Sequence, residues 1–181
     1  MAGGDTRWRR VLDEQAEVLA AFIAAVRDTD RATLHAVPAT GGWSVAQECV
    51  HVAMSYDYGA AAVRDGAAMR RRAPRVVAWL SRMVLLPYFL ATRTFPRGAP
   101  APGELRPPVV DDTMTADALT ARVREAAAEA ASALRFAEEQ RPDRRVMHAY
   151  FGPLRPALAL RLLSAHTRHH ACNLQQRARR S

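Results

Sequence analysis

Residues 44–58 read SVAQECVHVAMSYDY, and the prediction of the fold starts from this segment. Ser44 is a residue type favoured at a helix N-cap, and Gln47 three positions later completes a capping box. We expect the helix to continue through His51 and Tyr58 to about residue 70. The segment therefore predicts a long helix with a histidine in its interior.

Apolar residues recur at helical spacing in three further segments, with polar residues on the other sides of the helical wheel. These segments predict helices over residues 6–28 and 155–179, and a helix that is capped by Thr115 or Asp112 and ends near residue 140. An apolar section over 76–92 predicts either a continuation of the second helix or a separate packed helix, bent near Pro87. The sequence shows no convincing strand and no internal repeat, so it predicts an all-α bundle of four principal helices.

Segments that favour turns and extended chain separate these helices. A loop is predicted over 29–43 and a connector over 141–153. Residues 95–112 contain five prolines and two glycines, so this linker is expected to be extended rather than helical. A chain of 181 residues has the length of one domain, and we assign residues 1–181 to a single domain.

Composition places the chain among ordinary globular proteins, with 49% hydrophobic and 24% charged residues. The net charge of +8 comes from arginines that are spread over the whole length of the chain. They are not clustered in one basic arm of the kind that binds nucleic acid. Two cysteines are too few for a disulfide framework, and the first residues lack the features of a signal peptide. The most apolar stretch, 76–91, is interrupted by Arg82 and Pro87 and is shorter than the roughly 20 residues of a membrane span. We therefore expect a cytoplasmic protein without a membrane span.

Three of the six histidines form a candidate metal site. His166 and His170 are four residues apart, so their side chains project from one face of the last helix. Such a pair can hold a transition metal when another helix supplies a third ligand, and His51 is the only histidine in the middle of another long helix. The alternative is a polar stripe on the last helix and a hydrogen-bonded core histidine at position 51.

Several residues near His51 could support chemistry. Glu48 shares its helix face and could orient a histidine or act as the catalytic general base. The alternative for Glu48 is a solvated acid in the first turn, favoured by the helix dipole. Ser55 and Tyr58 share the same face.

Other polar and aromatic residues are assigned simpler roles. Tyr56, Asp57 and Arg168 are candidate substrate contacts, although surface placement is commoner for such residues. Cys49 and Cys172 each lie two positions from a candidate ligand, so their side chains point away from it and favour packing. Trp8 and Trp79 are predicted to pack in the interior, and Trp43 is predicted to staple the start of the second helix. His35 and His148 lie in connecting segments and are assigned no role in the site.

Residues 42–53, GWSVAQECVHVA, resemble the start of the second helix in the DinB-like superfamily of small helical metalloproteins. There, Trp-Ser or Trp-Thr precedes the first histidine ligand. FGPL at 151–154 and HTRHH at 166–170 resemble the closing signature, a His-x-x-x-His pair on the last helix. The segment over 96–108 is similar to the proline-rich crossover of the family. The resemblance covers residues 6–176.

The resemblance implies a four-helix bundle with a long crossover and a metal site formed by His51, His166 and His170. His169 would lie next to the ligands or at the surface. Asn173 stands where related chains often have Gln, which puts a local hydrogen bond in question. The implied cofactor is a divalent metal, zinc or nickel. The superfamily includes thiol-dependent S-transferases and the mycothiol-dependent maleylpyruvate isomerase type, so a low-molecular-weight thiol and a homodimer are further implications.

Three classes of function stay open at this point. The first is a metal-dependent thiol S-transferase, isomerase or hydrolase that acts on small electrophiles. The second is a non-catalytic basic module that binds nucleic acid, through arginines at 70–75 and 177–180, or a membrane surface, through residues 76–91. The third is a bundle that keeps the metal without catalysis. We expect a small-molecule partner rather than nucleic acid, because the sequence contains no helix-turn-helix and no alternation of aromatic and basic residues.

Overall fold

The structure, a computed structural model, describes residues 2–39, 41–67, 69, 73–92 and 101–179. It contains a short antiparallel hairpin and a single 3₁₀ turn at Gly103–Leu105 within those residues. The remaining elements are helices, which confirms the all-α prediction. The helices and strands are α1 (Ala2–Arg27), α2 (Arg31–His35), α3 (Val45–Arg64), α4 (Arg75–Thr92), α5 (Ala116–Gln140), β1 (Val146–His148), β2 (Gly152–Leu154) and α6 (Pro156–Ala178).

Helices α1, α3, α5 and α6 form the bundle. α3 packs along α5 and α1 packs along α6, so each pair buries its apolar stripe against the other. Buried alanines line α5 and allow its neighbours to approach closely. On α3, a Cβ added at Gly59 would lie 3.0 Å from Leu163 Cδ1 of α6. This close approach places the buried face of α3 opposite the face of α6 that carries His166 and His170.

The predicted start of α3 is confirmed. Ser44 Oγ accepts a hydrogen bond from the Gln47 backbone amide at 3.2 Å, and Gln47 Oε1 accepts from the Ser44 amide at 3.1 Å. The predicted end near residue 70 is wrong, because α3 ends at Arg64. Gly66 there adopts a φ of +74°, a left-handed conformation that glycine tolerates and that terminates helices.

Several boundaries and connections differ from the sequence prediction. α1 begins at Ala2 instead of residue 6. The predicted loop over 29–43 contains α2, whose N-cap Asp30 accepts from the Thr33 amide at 2.9 Å. The connector over 141–153 contains the hairpin, which periodicity cannot detect because each strand has three residues. Gly152 has a φ of +66°, and a Cβ there would meet Ala78 Cβ of α4 at 3.5 Å.

The helix predicted over 76–92 is present as α4, but most of it is not packed. Ala78, Leu86 and Phe89 are buried, whereas most of the other residues are exposed, and the predicted packing of Trp79 is wrong because its exposed fraction is 54%. The helix continues through Pro87. Among the described residues, α4 is the helix whose length and composition suffice to cross a membrane, and 11% of that 18-residue window is buried.

The proline-rich linker leads from α4 to α5. Residues 93–100 lie outside the described part of the chain. Residues 101–115 have no regular structure apart from the 3₁₀ turn, as expected for an extended linker. Leu105, at the end of that turn, is buried and brings its backbone carbonyl to the interior of the bundle.

Candidate metal site

His51 of α3 and His166 and His170 of α6 converge in the bundle. One nitrogen of each ring lies within 4.8 Å of the others. His51 Nε2 is 3.1 Å from His166 Nε2, and His170 Nε2 is 3.2 Å from it. Three nitrogens bound tetrahedrally at 2.0–2.1 Å would be about 3.3–3.4 Å apart, so the two distances to His166 Nε2 are close to those of a tetrahedral zinc site. This histidine group could hold a metal ion.

The partners of the outer nitrogens fix the tautomers of two of these rings. His51 Nδ1 lies 2.7 Å from the carbonyl oxygen of Leu105, which can only accept, so Nδ1 carries the proton. His170 Nδ1 lies 2.9 Å from Glu48 Oε2 and donates to that carboxylate. Both rings therefore direct the lone pair of Nε2 toward His166.

Without a cation, this arrangement leaves lone pairs opposed. His166 Nε2 has one proton at most, so it can donate to one of the two facing nitrogens but not to both. Burial lowers the pKa of His51, and burial together with the other histidines lowers those of His166 and His170 well below their ordinary value. A second proton on any of these three imidazole rings is therefore disfavoured. A divalent cation would satisfy all three lone pairs, and neutral imidazole is the form that binds metals.

Glu48 is a buried partner of a candidate ligand. Its side chain is almost fully buried, so the alternative of a solvated first-turn acid is wrong. One oxygen accepts from His170, and Oε1 accepts from Arg177 Nη2 at 2.5 Å. Burial raises the pKa of the Glu48 carboxyl, and the adjacent Arg177 guanidinium opposes that change. A carboxylate that receives the outer N–H of a ligating histidine fixes the ring and raises its basicity.

Arg177 holds this carboxylate in place and was missed as a site residue. It also donates from Nη1 to the Trp43 carbonyl at 3.0 Å, joining the end of α6 to the start of α3. The spacing in the sequence could have identified it, because Arg177 follows His170 by seven residues and therefore lies two turns later on the same face of the helix. The ring centroids of Trp43 and His51 are 4.6 Å apart, so Trp43 packs against a candidate ligand.

A cavity of about 390 Å³ opens beside the three histidines. Its walls come from α3, α4, α6, the hairpin and the linker. The described residues that line it include no Arg, Asp or Glu, although the chain contains 26 arginines. Ser55, Tyr58 and His169 belong to this wall. The site is therefore an apolar chamber with an imidazole cluster at one side.

The three candidate substrate contacts that the sequence suggested lie outside the cavity. Tyr56 is buried in the core, where its hydroxyl accepts from Thr167 at 3.0 Å and burial raises its pKa to about 12. Asp57 forms a surface ion pair with Arg122, and Arg168 lies 3.5 Å from Glu17. None of Tyr56, Asp57 and Arg168 lines the described cavity.

Both cysteines also lie away from the cavity. Cys49 is buried, and burial raises the pKa of its thiol to about 12, which fits the predicted packing role. Cys172 is exposed, so the predicted packing role is wrong for it. At the position that departs from the family pattern, Asn173 Nδ2 donates to His169 Nε2 at 3.0 Å. His169 therefore has a local hydrogen-bond partner.

His148 of the hairpin lines the cavity, contrary to the prediction that it has no role in the site. Its Nδ1 accepts from the backbone amides of Tyr150 at 3.2 Å and Phe151 at 3.4 Å, so the ring proton lies on Nε2. The ring stacks on Phe151 with centroids 4.7 Å apart. Sequence reasoning missed this residue because a three-residue strand gives no pattern that would place it.

Burial lowers the pKa of His148 to about 4 from 6.5. The unfolded chain therefore binds a proton between these pH values while the folded chain does not, and the free energy of unfolding falls as pH decreases from 6.5 to 4. The loss from this residue is at most about 3 kcal/mol. In His148→Asn, which keeps an acceptor for the turn amides, we expect a shallower decline, measured by urea unfolding of metal-free protein. Equal slopes for both proteins would contradict the assignment.

Comparison with known proteins agrees with the fold and with the family resemblance. A sequence model of the DinB superfamily matches residues 9–172, a range that includes all three candidate ligands and Glu48. No curated protein and no solved structure gave a significant match. Because the family match spans most of the 181 residues, the chain belongs to the DinB superfamily.

Proposed function

We propose that this protein is a metal-dependent thiol S-transferase, or a related isomerase, that acts on small uncharged electrophiles. The observation that carries the proposal is the convergence of the Nε2 atoms of His51, His166 and His170 at the edge of the cavity. The cation would be zinc or nickel, since imidazole nitrogen suits both. A cation with three protein ligands keeps a coordination position open and lowers the pKa of a thiol or water that reaches it.

The side chains around the histidines would position this chemistry. Glu48 and the Leu105 carbonyl hold two imidazoles in the orientation that ligation requires. Tyr58 donates to the Met147 carbonyl at 2.7 Å and accepts from the Met69 amide at 3.1 Å, so its hydroxyl stabilises the cavity wall. The Nε2–H of His148 is a neutral donor, suited to a carbonyl or leaving-group oxygen of an uncharged substrate.

The walls of the cavity support the choice of substrate class. A carboxylate or phosphate in an apolar chamber would lose its hydration, and no described arginine lines the cavity to replace it. An uncharged aromatic or aliphatic electrophile would lose little and would bury its surface against residues such as Leu85, Phe89 and Leu162. The second reactant would be a low-molecular-weight thiol, whose sulfur forms a bond to carbon as the leaving group departs.

The test is a matrix of thiols and electrophiles with the zinc-loaded and nickel-loaded protein. We expect 2-mercaptoethanol and uncharged 1-chloro-2,4-dinitrobenzene to react faster than the same thiol with a carboxylated analogue, as measured by absorbance of the thioether. His35→Ala is a matched control, because His35 bonds the Met114 carbonyl away from the cavity. If His166→Ala reacts as fast as the His35 variant, or no pair reacts faster than without protein, the proposal is wrong.

A further inference from the structure

The outward face of α4 is apolar over its whole length. Ala78, Leu86 and Phe89 face the protein, and the exposed large side chains on the other faces have exposed fractions of 44–69%. A helix that is apolar on all sides is normally buried in protein or in lipid. The exposed residues are Val76, Val77, Trp79, Leu80, Met83, Val84, Leu85 and Tyr88.

Arginines occur along the whole chain, but in the sequence the excess of arginine over acidic residues is concentrated in the segment that contains α4. Residues 66–103 contain seven arginines and no acidic residue, so this segment holds +7 of the net charge of +8. The remaining residues are close to electrical balance. Basic residues beside an apolar helix with a tryptophan are typical of helices that lie in the interface of an anionic membrane.

Contacts with the protein hold α4 at the surface. Arg82 donates from Nη1 to the Pro153 carbonyl at 3.0 Å, and Ala78 packs near Gly152 of the hairpin. Leu85 and Phe89 line the cavity. Crossing a bilayer would break these contacts, whereas lying on a bilayer would preserve them and cover the exposed face.

We propose that α4 docks this protein on an anionic lipid surface, with the apolar face of the helix in the headgroup region and the net positive charge of residues 66–103 attracted to the anionic lipids. This proposal rests on α4 and the charge of its segment and does not depend on the proposed catalysis. Because α4 also forms a wall of the cavity, docking brings that wall next to lipid, where apolar small molecules concentrate.

The experiment uses the full chain with vesicles of phosphatidylcholine, alone or mixed with anionic phosphatidylglycerol. We expect cosedimentation with the anionic vesicles, weakened by high salt, and little with the neutral ones. Trp79 reports the contact directly, since Trp8 is buried and Trp43 packs on His51. Its emission should shift to shorter wavelength on binding. Trp79→Phe should bind but show no shift.

A triple variant tests the face itself. Leu80→Ser, Met83→Ser and Val84→Ser together alter exposed residues that do not line the cavity. We expect binding to anionic vesicles to weaken about tenfold or more, since three apolar side chains no longer enter the interface. A control with three exposed apolar residues outside α4 should bind like the wild type: Val37→Ser, Val109→Ser and Phe136→Ser. Metal content should be unchanged in both triples.

Three results would overturn the proposal. One is equal binding to neutral and anionic vesicles, or none to either. Another is a dimer in sedimentation velocity, formed without lipid and lost in the α4 triple variant, which would assign the face to a second copy of the chain. The third is membrane association that resists high salt and alkaline carbonate, which would indicate a spanning helix instead.

Discussion

Replacing His166 and His170 together with alanine is expected to abolish stoichiometric metal binding. The wild type should hold about one equivalent of zinc or nickel per chain, and the double variant close to none, because a single imidazole at His51 cannot retain the ion. Added zinc should also raise the melting temperature of the wild type and leave that of the double variant unchanged, since ligand bound only to the folded state stabilises it.

Elemental analysis of untagged protein measures this effect, with His35→Ala as a control that removes a histidine outside the site. The metal-free double variant should unfold at a lower urea concentration than the metal-free wild type, because the buried Glu48 carboxylate loses the hydrogen bond from His170. Metal content that is equal in the double variant and the His35 variant would contradict the site. So would a wild type that stays metal-free in excess zinc.

Replacing Glu48 with glutamine is expected to weaken zinc affinity about 10- to 100-fold without removing the ligands. The amide oxygen can still accept from His170 Nδ1, but the negative charge that makes the ring more basic is lost. The charge opposite Arg177 is lost as well. Competition with a chromophoric chelator measures the affinity, and thioether formation at saturating zinc measures the activity.

The pair of measurements separates two roles for Glu48. Lower affinity with near-normal turnover at saturating zinc indicates that the residue positions His170. Unchanged affinity with a large loss of turnover would indicate the general base that sequence analysis considered. Glu129→Gln is the matched control, because Glu129 forms a surface ion pair with Arg64 and should change neither quantity.

Local signals predicted the elements that contain the ligands. The Ser44 and Gln47 capping box fixes where α3 begins, and it thereby fixes which face carries Glu48 and His51. Spacing of four residues placed His166 and His170 on one face of α6 without knowledge of the fold. The family resemblance then indicated that these two faces meet, and the structure brings the three rings together.

The sequence predicted less well the features that depend on contacts between different elements. The hairpin that carries His148 has strands of three residues, too short for an alternating pattern to appear. α4 was expected to pack because its residues are apolar, but apolar sequence does not specify whether protein or another medium covers it. Arg177 looked like part of a basic tail until its distance to the Glu48 carboxylate was known.

The sequence by itself determined the helical class, the positions of the principal helices and the pairing of His166 with His170, because these depend on periodicity, capping and spacing within one helix. The family resemblance carried by its motifs added His51 to that pair. Tertiary structure alone decided that Leu105 and Glu48 fix the imidazole tautomers and that an apolar cavity lies beside them. It also decided that α4 is exposed. The two hydrogen bonds that fix the tautomers join residues 54 and 122 positions apart in the chain, and no local propensity encodes contacts across such separations.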